Sequence, residues 1–161
     1  MGAALLACAA VVAAFYQLPS RLLPAIHAVE GGRPGLVSQN SNGSADLGLM
    51  QVNTLWIAPL ARETGLQETV VRHRLIHDGC FSITAAGAIL RLQLNDNGGD
   101  MLRAIGNYHS RTPGLHDAYR DRVLAAAQRL ANREAAKGEA AGAQFPSKGQ
   151  FQSQGPFQSQ R

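Results

Sequence analysis

The segment Leu22-Leu23-Pro24-Ala25-Ile26-His27-Ala28-Val29-Glu30-Gly31-Gly32 sets the frame for the rest of the chain. Leu22, Ile26 and Val29 fall on one face at helical spacing. Pro24 is tolerated only in a first turn, and the two glycines stop the helix. Glu30 therefore ends an apolar helix, next to Val29 on the side that faces a core. A carboxylate there meets the negative end of the helix macrodipole, and partial burial adds to the cost of its charge. Both effects raise its pKa, and a carboxyl that stays protonated near neutral pH is what a general acid for glycosidic cleavage needs. Spacing of this kind more often marks an exposed helix-end glutamate, so the segment nominates Glu30 without assigning it a role.

Outward from this helix the pattern stays mostly helical. Asn42-Gly43 is a strong turn signal, and residues 37–53 read as a short irregular hairpin. Helical patterns follow over about 53–64, 67–77 and 82–95, the last with Ile83, Ala86, Leu90 and Leu94 on one stripe. Asn97-Gly98-Gly99 breaks the chain, and Asp100 caps a helix carrying Met101, Leu102 and Ile105. Thr112-Pro113 supplies an N-cap and a proline at the first position of a last helix with Leu115, Tyr119, Val123, Ala127 and Leu130. The fold class is mainly α, one domain with a short β-like hairpin. At 161 residues and 45% apolar content, the chain can bury a core of that size, which excludes a wholly disordered protein. The formal charge of +4 suits an acidic polymer, but the arginines are scattered and form no nucleic-acid arm, so no nucleic-acid partner is expected.

The two ends differ from this body. Residues 1–18 carry no charged side chain, fall slightly short of the roughly 20 needed to span a bilayer, and close at Pro19-Ser20. They read as a secretory signal with Ala13-Ala14 as a cleavage site, although no Lys or Arg precedes the apolar run. An uncleaved N-terminal anchor is the alternative, and either way the domain is expected in the periplasm. Leu5-Leu6-Ala7-Cys8 looks like a lipoprotein box, but too little apolar sequence precedes it. Removal of the leader takes Cys8 with it and leaves Cys80 single, so no internal disulfide is expected. His73 and His77, one turn apart, read as a solvated or capping pair, and no metal site is expected. From residue 138 onward the chain holds six-residue units, QFPSKG, QFQSQG and PFQSQR, too polar to fold alone. They read as a disordered tail, with docking through Phe145, Phe151 and Phe157 as the other reading. The organisation is thus 1–18 leader, 19–137 domain and 138–161 tail.

Two further segments carry polar groups dense enough to line a groove. One is Asn42-Gly43-Ser44-Ala45-Asp46-Leu47-Gly48-Leu49-Met50-Gln51-Val52-Asn53, and the other is Asn107-Tyr108-His109-Ser110. Amides, hydroxyls and an aromatic face suit sugar hydroxyls and acetamides, while a polar turn running into buried chain explains the first segment equally simply.

The order Ile26-His27-Ala28-Val29-Glu30-Gly31, then Gly48-Leu49-Met50-Gln51-Val52-Asn53, then Ala104-Ile105-Gly106-Asn107-Tyr108-His109 resembles the Slt-type lytic transglycosylases, goose-lysozyme-like enzymes that cut peptidoglycan. The likeness covers about residues 20–130 and is nearest to the small versions that accompany conjugation, type IV secretion, type III secretion and pilus machines. Tyr119 with Arg122-Val123 looks like the family's closing helix. The resemblance implies a lysozyme-like helical fold with a glycan groove, peptidoglycan strands as the partner and no cofactor. It implies Glu30 as the sole acid/base in cleavage of the N-acetylmuramic acid–N-acetylglucosamine bond, ending in a 1,6-anhydromuramyl product. It also carries over Gln39, Gly48, Leu49, Met50, Gln51, Asn53, Asn107, Tyr108, His109 and Tyr119 as substrate-binding residues, with Met50 and Gln51 lining the groove and Tyr108 beside Glu30. The tail is then a possible dock onto a secretion, conjugation or pilus machine.

Two positions depart from the family's pattern. Gly31 stands where a serine usually follows the glutamate, and His109 where an asparagine follows the tyrosine, losing the amide's paired donor and acceptor. Asp46 offers a second carboxylate for ordinary hydrolysis, but its place after Asn42-Gly43-Ser44 reads first as a turn anchor. A hydrolytic muramidase and a non-catalytic glycan-binding assembly factor remain the alternatives.

Overall fold

The structure, a computed structural model, describes residues 1–142. Seven helices, α1 (Ala3–Phe15), α2 (Leu22–Glu30), α3 (Ile57–Thr64), α4 (Glu68–His77), α5 (Gly79–Asp96), α6 (Met101–His109) and α7 (Pro113–Gly142), accompany a small sheet of β1 (Val37–Gln39), β2 (Ala45–Leu47) and β3 (Val52–Asn53). The sheet is antiparallel in the order β1-β2-β3, with Gln39 opposite Ala45 and Asp46 opposite Asn53. The mainly helical class and the short hairpin match the expectation from sequence.

Helix α5 is the centre of the domain and packs against α1, α4, α6 and α2. Its stripe of Ile83, Ala86, Leu90 and Leu94 is buried, as the spacing predicted. It begins three residues before the apolar pattern does, because Asp78 accepts the Phe81 amide at 3.0 Å and caps it. Asp100 does the same for α6 through Arg103 N–H at 3.0 Å. Helix α7 starts at Pro113 and lies across α2 and α6. It continues five residues beyond the expected limit at 137; the six-residue units of the tail lie outside the described residues.

Residues 1–18 do not behave as a segment apart from the domain. Helix α1 packs on α5, with Ala9, Val12 and Ala13 buried in the same core as Leu23 and Ile26. Arg91 of α5 donates to the Tyr16 and Gln17 carbonyls and closes the end of this packing. In the structure the packed core thus extends N-terminal to the expected limit at residue 19; an all-apolar run has no polar face to reveal that one side of it is core. The expectation of no internal disulfide is corrected, since Cys8 of α1 is bonded to Cys80 at the start of α5. Among the described residues no single helix is long and apolar enough to cross a membrane.

Candidate functional site

Glu30 is the last residue of α2. Gly31 follows in the left-handed conformation at φ 64°, and its N–H donates to the His27 carbonyl at 2.9 Å. This C-cap explains why the position holds no side chain: a Cβ would meet nothing, but an L-residue is strained at that φ. The chain then passes through Gly32 and folds back as β1 and β2, which place Asp46 on the same groove.

The second segment forms a turn tied down from both sides. At Gly48, φ is +66° and a Cβ would lie 1.9 Å from the Leu75 carbonyl oxygen, so only glycine brings the turn this close to α4. Met50 N–H donates to Ser82 Oγ at 3.1 Å, fixing the turn to α5. Gln51 takes a positive φ of 49°, and its carboxamide is used at both ends. Its Oε1 accepts from Ser38 at 2.7 Å and its Nε2 donates to the Gly48 carbonyl at 2.8 Å.

A groove of about 710 Å³ runs between this turn region, α5 and the end of α6. Such a volume is ordinary for a ligand site. Glu30, Asp46, Gln51, Asn53, Asn107, Tyr108 and His109 all line it. Five positions expected to bind substrate do not: Tyr119, described below, and four others. Gly48 is consumed by the turn, Leu49 and Met50 are core side chains at 3% and 0% exposure, and Gln39 sits exposed on β1 away from the groove lining. The expectation that Met50 lines the groove is thus corrected; its contribution is the carbonyl that accepts from Tyr108 at 3.0 Å.

The partner of the acid also differs from the expectation. Tyr119 of α7, itself 1% exposed, donates its hydroxyl proton to Glu30 Oε1 at 2.5 Å. Tyr108 instead stacks beside Tyr119, with ring centroids 6.3 Å apart, and so acts at one remove. His109 lies flat on Tyr119 at 4.7 Å and 6°, and the Arg122 guanidinium sits 5.5 Å from that ring's centre. Tyr119 is thus buried behind Glu30, flanked by His109 and Arg122, and is not part of the groove lining. Nothing in the local sequence around Glu30 could signal a partner 89 residues away.

Burial raises the Glu30 pKa from 4.5 to about 7; the Tyr119 hydrogen bond and the Arg122 charge oppose this, and the Asp46 charge adds to it. Burial pushes the hydroxyls of Tyr108 and Tyr119 up as well, with the Glu30 charge second, so both remain donors. His109 is pushed down, first by burial and then by Arg122, which favours the neutral ring stacked on Tyr119.

Asp46 is held in place by hydrogen bonds to both of its oxygens. Its Oδ2 accepts from Asn40 at 3.1 Å and its Oδ1 from Asn53 at 2.7 Å. Asn40 and Asn53 also donate to Ser44 Oγ, at 3.1 and 3.0 Å, and Ser44 donates to Asn42 Oδ1 at 2.8 Å. This closed polar network is the turn anchor that the sequence suggested. The Asp46 charge reaches Glu30 only through space.

Groove residues that the sequence reading passed over include Asn40, Trp56, Gln93, Asp96 and Arg111. Trp56 had a usable signal, being the single tryptophan of the chain and lying three residues after the motif that ends at Asn53. Gln93 had none, because it sits inside the apolar pattern of α5. His73 and His77 lie together on α4 with ring centres 4.7 Å apart, and no third metal-ligating side chain joins them among the described residues.

Comparison with known proteins places these features in context. A family model described as the transglycosylase SLT domain matches residues 7–122, which includes most of α1 as well as Glu30, the glycine-rich turn and Tyr119. The invasion protein IagB of Salmonella typhimurium is 33% identical over 98 residues, 60% of this chain and 58% of that protein. Salmonella typhi IagB matches equally, and protein IpgF of Shigella flexneri is 40% identical over 76 residues, 47% of each chain. The chain thus matches about half the length of these relatives.

Proposed function

The chain belongs to the transglycosylase SLT family, and on that premise we propose that it is a peptidoglycan lytic transglycosylase with Glu30 as its only acid/base. The observation that carries this reading is the state of Glu30: a groove carboxyl whose pKa rises from 4.5 to about 7 mainly by burial, oriented by Tyr119 at 2.5 Å. Protonated Glu30 gives its proton to the glycosidic oxygen between N-acetylmuramic acid and N-acetylglucosamine, and the C1–O bond breaks. The substrate's own acetamide stabilises C1. The Glu30 carboxylate then takes the proton of the C6 hydroxyl as O6 bonds to C1, which closes a 1,6-anhydro ring and returns the acid to its starting form. No water enters the products.

The hydrogen bonds from Asn40 and Asn53 hold Asp46 as a turn anchor, and the reading gives it no step in the reaction; Asp46→Asn tests that against hydrolysis, in which a second carboxylate attacks or activates water. A pKa near 7 fits the double duty, because the same group must give and then take a proton near neutral pH. We further propose that the protein works outside the cytoplasm and opens the wall locally for a secretion or conjugation apparatus. The Cys8–Cys80 disulfide supports an oxidising compartment, and the invasion-protein name of the Salmonella relatives supports the link to such a machine.

The test is release of soluble fragments from purified sacculi by the wild type, Glu30→Gln and Asp46→Asn. The wild type is expected to release them, Glu30→Gln to release none, and Asp46→Asn to retain a measurable rate. Release by Glu30→Gln overturns the assignment of the acid. Binding without release by the wild type turns the reading to a glycan-binding assembly factor.

A further inference from the structure

The corner between α6 and α7 gives the groove a wall whose chemistry the reaction leaves unused. Helix α6 ends at His109 and α7 begins at Pro113, so Ser110, Arg111 and Thr112 make up the whole connection. The Thr112 N–H donates to Ser110 Oγ at 3.1 Å and fixes the corner locally. Arg111 lines the groove from this connection, and Leu115 lines it from the first turn of α7. Helical spacing puts Leu115 on one stripe with Tyr119 and Val123, yet those two are buried and Leu115 is 56% exposed.

Arg111 is the one lysine or arginine among the residues that line the groove. Its side chain is exposed, and among the described residues it forms no ion pair. The carboxylates that follow it on α7, Asp117 and Asp121, are paired with Arg120. The remaining ionisable acids of the groove are Glu30, Asp46 and Asp96. A ligand carboxylate is therefore attracted at the α6–α7 corner and repelled along the rest of the wall. A guanidinium binds a carboxylate through two N–H groups at once, and the exposed leucine adds apolar surface on the same corner. The ligand group that suits both is a short apolar chain ending in a carboxylate.

We infer that this corner is a subsite for the peptide stem of the glycan: Arg111 pairs with a free stem carboxylate, and Leu115 packs against the methyl groups of the lactyl and alanyl units. Once the lactyl carboxyl is amide-linked the glycan itself is neutral, so the free carboxylates of this substrate sit on its stem. The inference rests on the peptidoglycan reading of the groove and adds to it the part of the substrate that separates wall glycan from chitin-type glycan.

Three probes are titrated into the full chain by calorimetry: N-acetylglucosaminyl-N-acetylmuramyl-L-alanyl-D-glutamate, the same compound with both glutamate carboxylates amidated, and tetra-N-acetylchitotetraose. Arg111→Gln is expected to weaken the first about fivefold and to leave the other two unchanged. Leu115→Ser is expected to weaken both stem-bearing probes about threefold and to spare the tetrasaccharide. Both side chains are exposed, so melting temperatures are expected to stay at the wild-type value. Equal binding of the carboxylate probe by Arg111→Gln, or an equal loss for all three probes, overturns the stem subsite while the glycan groove stands. Absence of binding of all three probes by the wild type removes the glycan reading and this inference together.

Discussion

Glu30→Gln should make the protein more stable at pH 8, although it removes the group on which the activity is proposed to depend. In the unfolded chain the carboxyl titrates near 4.5, and in the fold near 7. Between those values the folded state holds a proton that the unfolded state has released, so stability falls as pH rises through that window and stays lower above it. The step from 4.5 to about 7 corresponds to roughly 3 kcal/mol. Glutamine is neutral at every pH and keeps an oxygen to accept from Tyr119, so it escapes this loss without breaking the hydrogen bond. Urea denaturation at a series of pH values should show the two proteins nearly equal at pH 4.5 and below. The variant should lead by about 3 kcal/mol at pH 8, or very roughly 10 °C in melting temperature. A gap that does not grow with pH, or a variant less stable at pH 8, would refute the claim that burial holds Glu30 protonated.

Three other perturbations have signed outcomes. With protonated Glu30 as the acid, activity on sacculi should decline as pH rises through about 7; Asp46→Asn should move that decline to lower pH, while Tyr119→Phe and Arg122→Met should move it higher. Shifts in a common direction contradict the electrostatic account. Gly48→Ala places a Cβ 1.9 Å from the Leu75 carbonyl oxygen at a positive φ, so a loss of about 3 kcal/mol or more is expected; a wild-type melting curve would contradict it. Replacing Cys8 and Cys80 by serine opens a link across 72 residues, worth about 4 kcal/mol in chain entropy, and should lower the urea midpoint accordingly.

The helical body was legible because its signals are local. Pro24, Asp100 and Thr112-Pro113 mark starts, Gly31 marks an end, and the α5 stripe repeats at helical spacing. Glu30 was legible for the same reason, since a helix end beside an apolar face already implies a raised pKa. What stayed hidden depends on contacts between distant segments. Tyr119 reaches Glu30 only because α7 lies across α2, and its spacing on α7 marks it simply as core. Helix α1 is apolar on every side, so membrane leader and core helix share one composition, and the expectation of no disulfide followed from reading it as a leader. Leu49 and Met50 sit in a polar segment that suggested a groove lining. The tight turn at Gly48 instead sends their side chains inward, and the groove takes polar side chains from both flanks of the turn.

The central claim is that a single carboxyl, without a second reacting one, cleaves the glycan with no uptake of water. Mass analysis of muropeptides released from sacculi tests it most directly. Products about 18 Da lighter than hydrolytic ones, absent with Glu30→Gln and still formed by Asp46→Asn, are the result this account predicts. Reducing ends that contain the added water, lost on Asp46→Asn, would contradict it and return Asp46 to the chemistry.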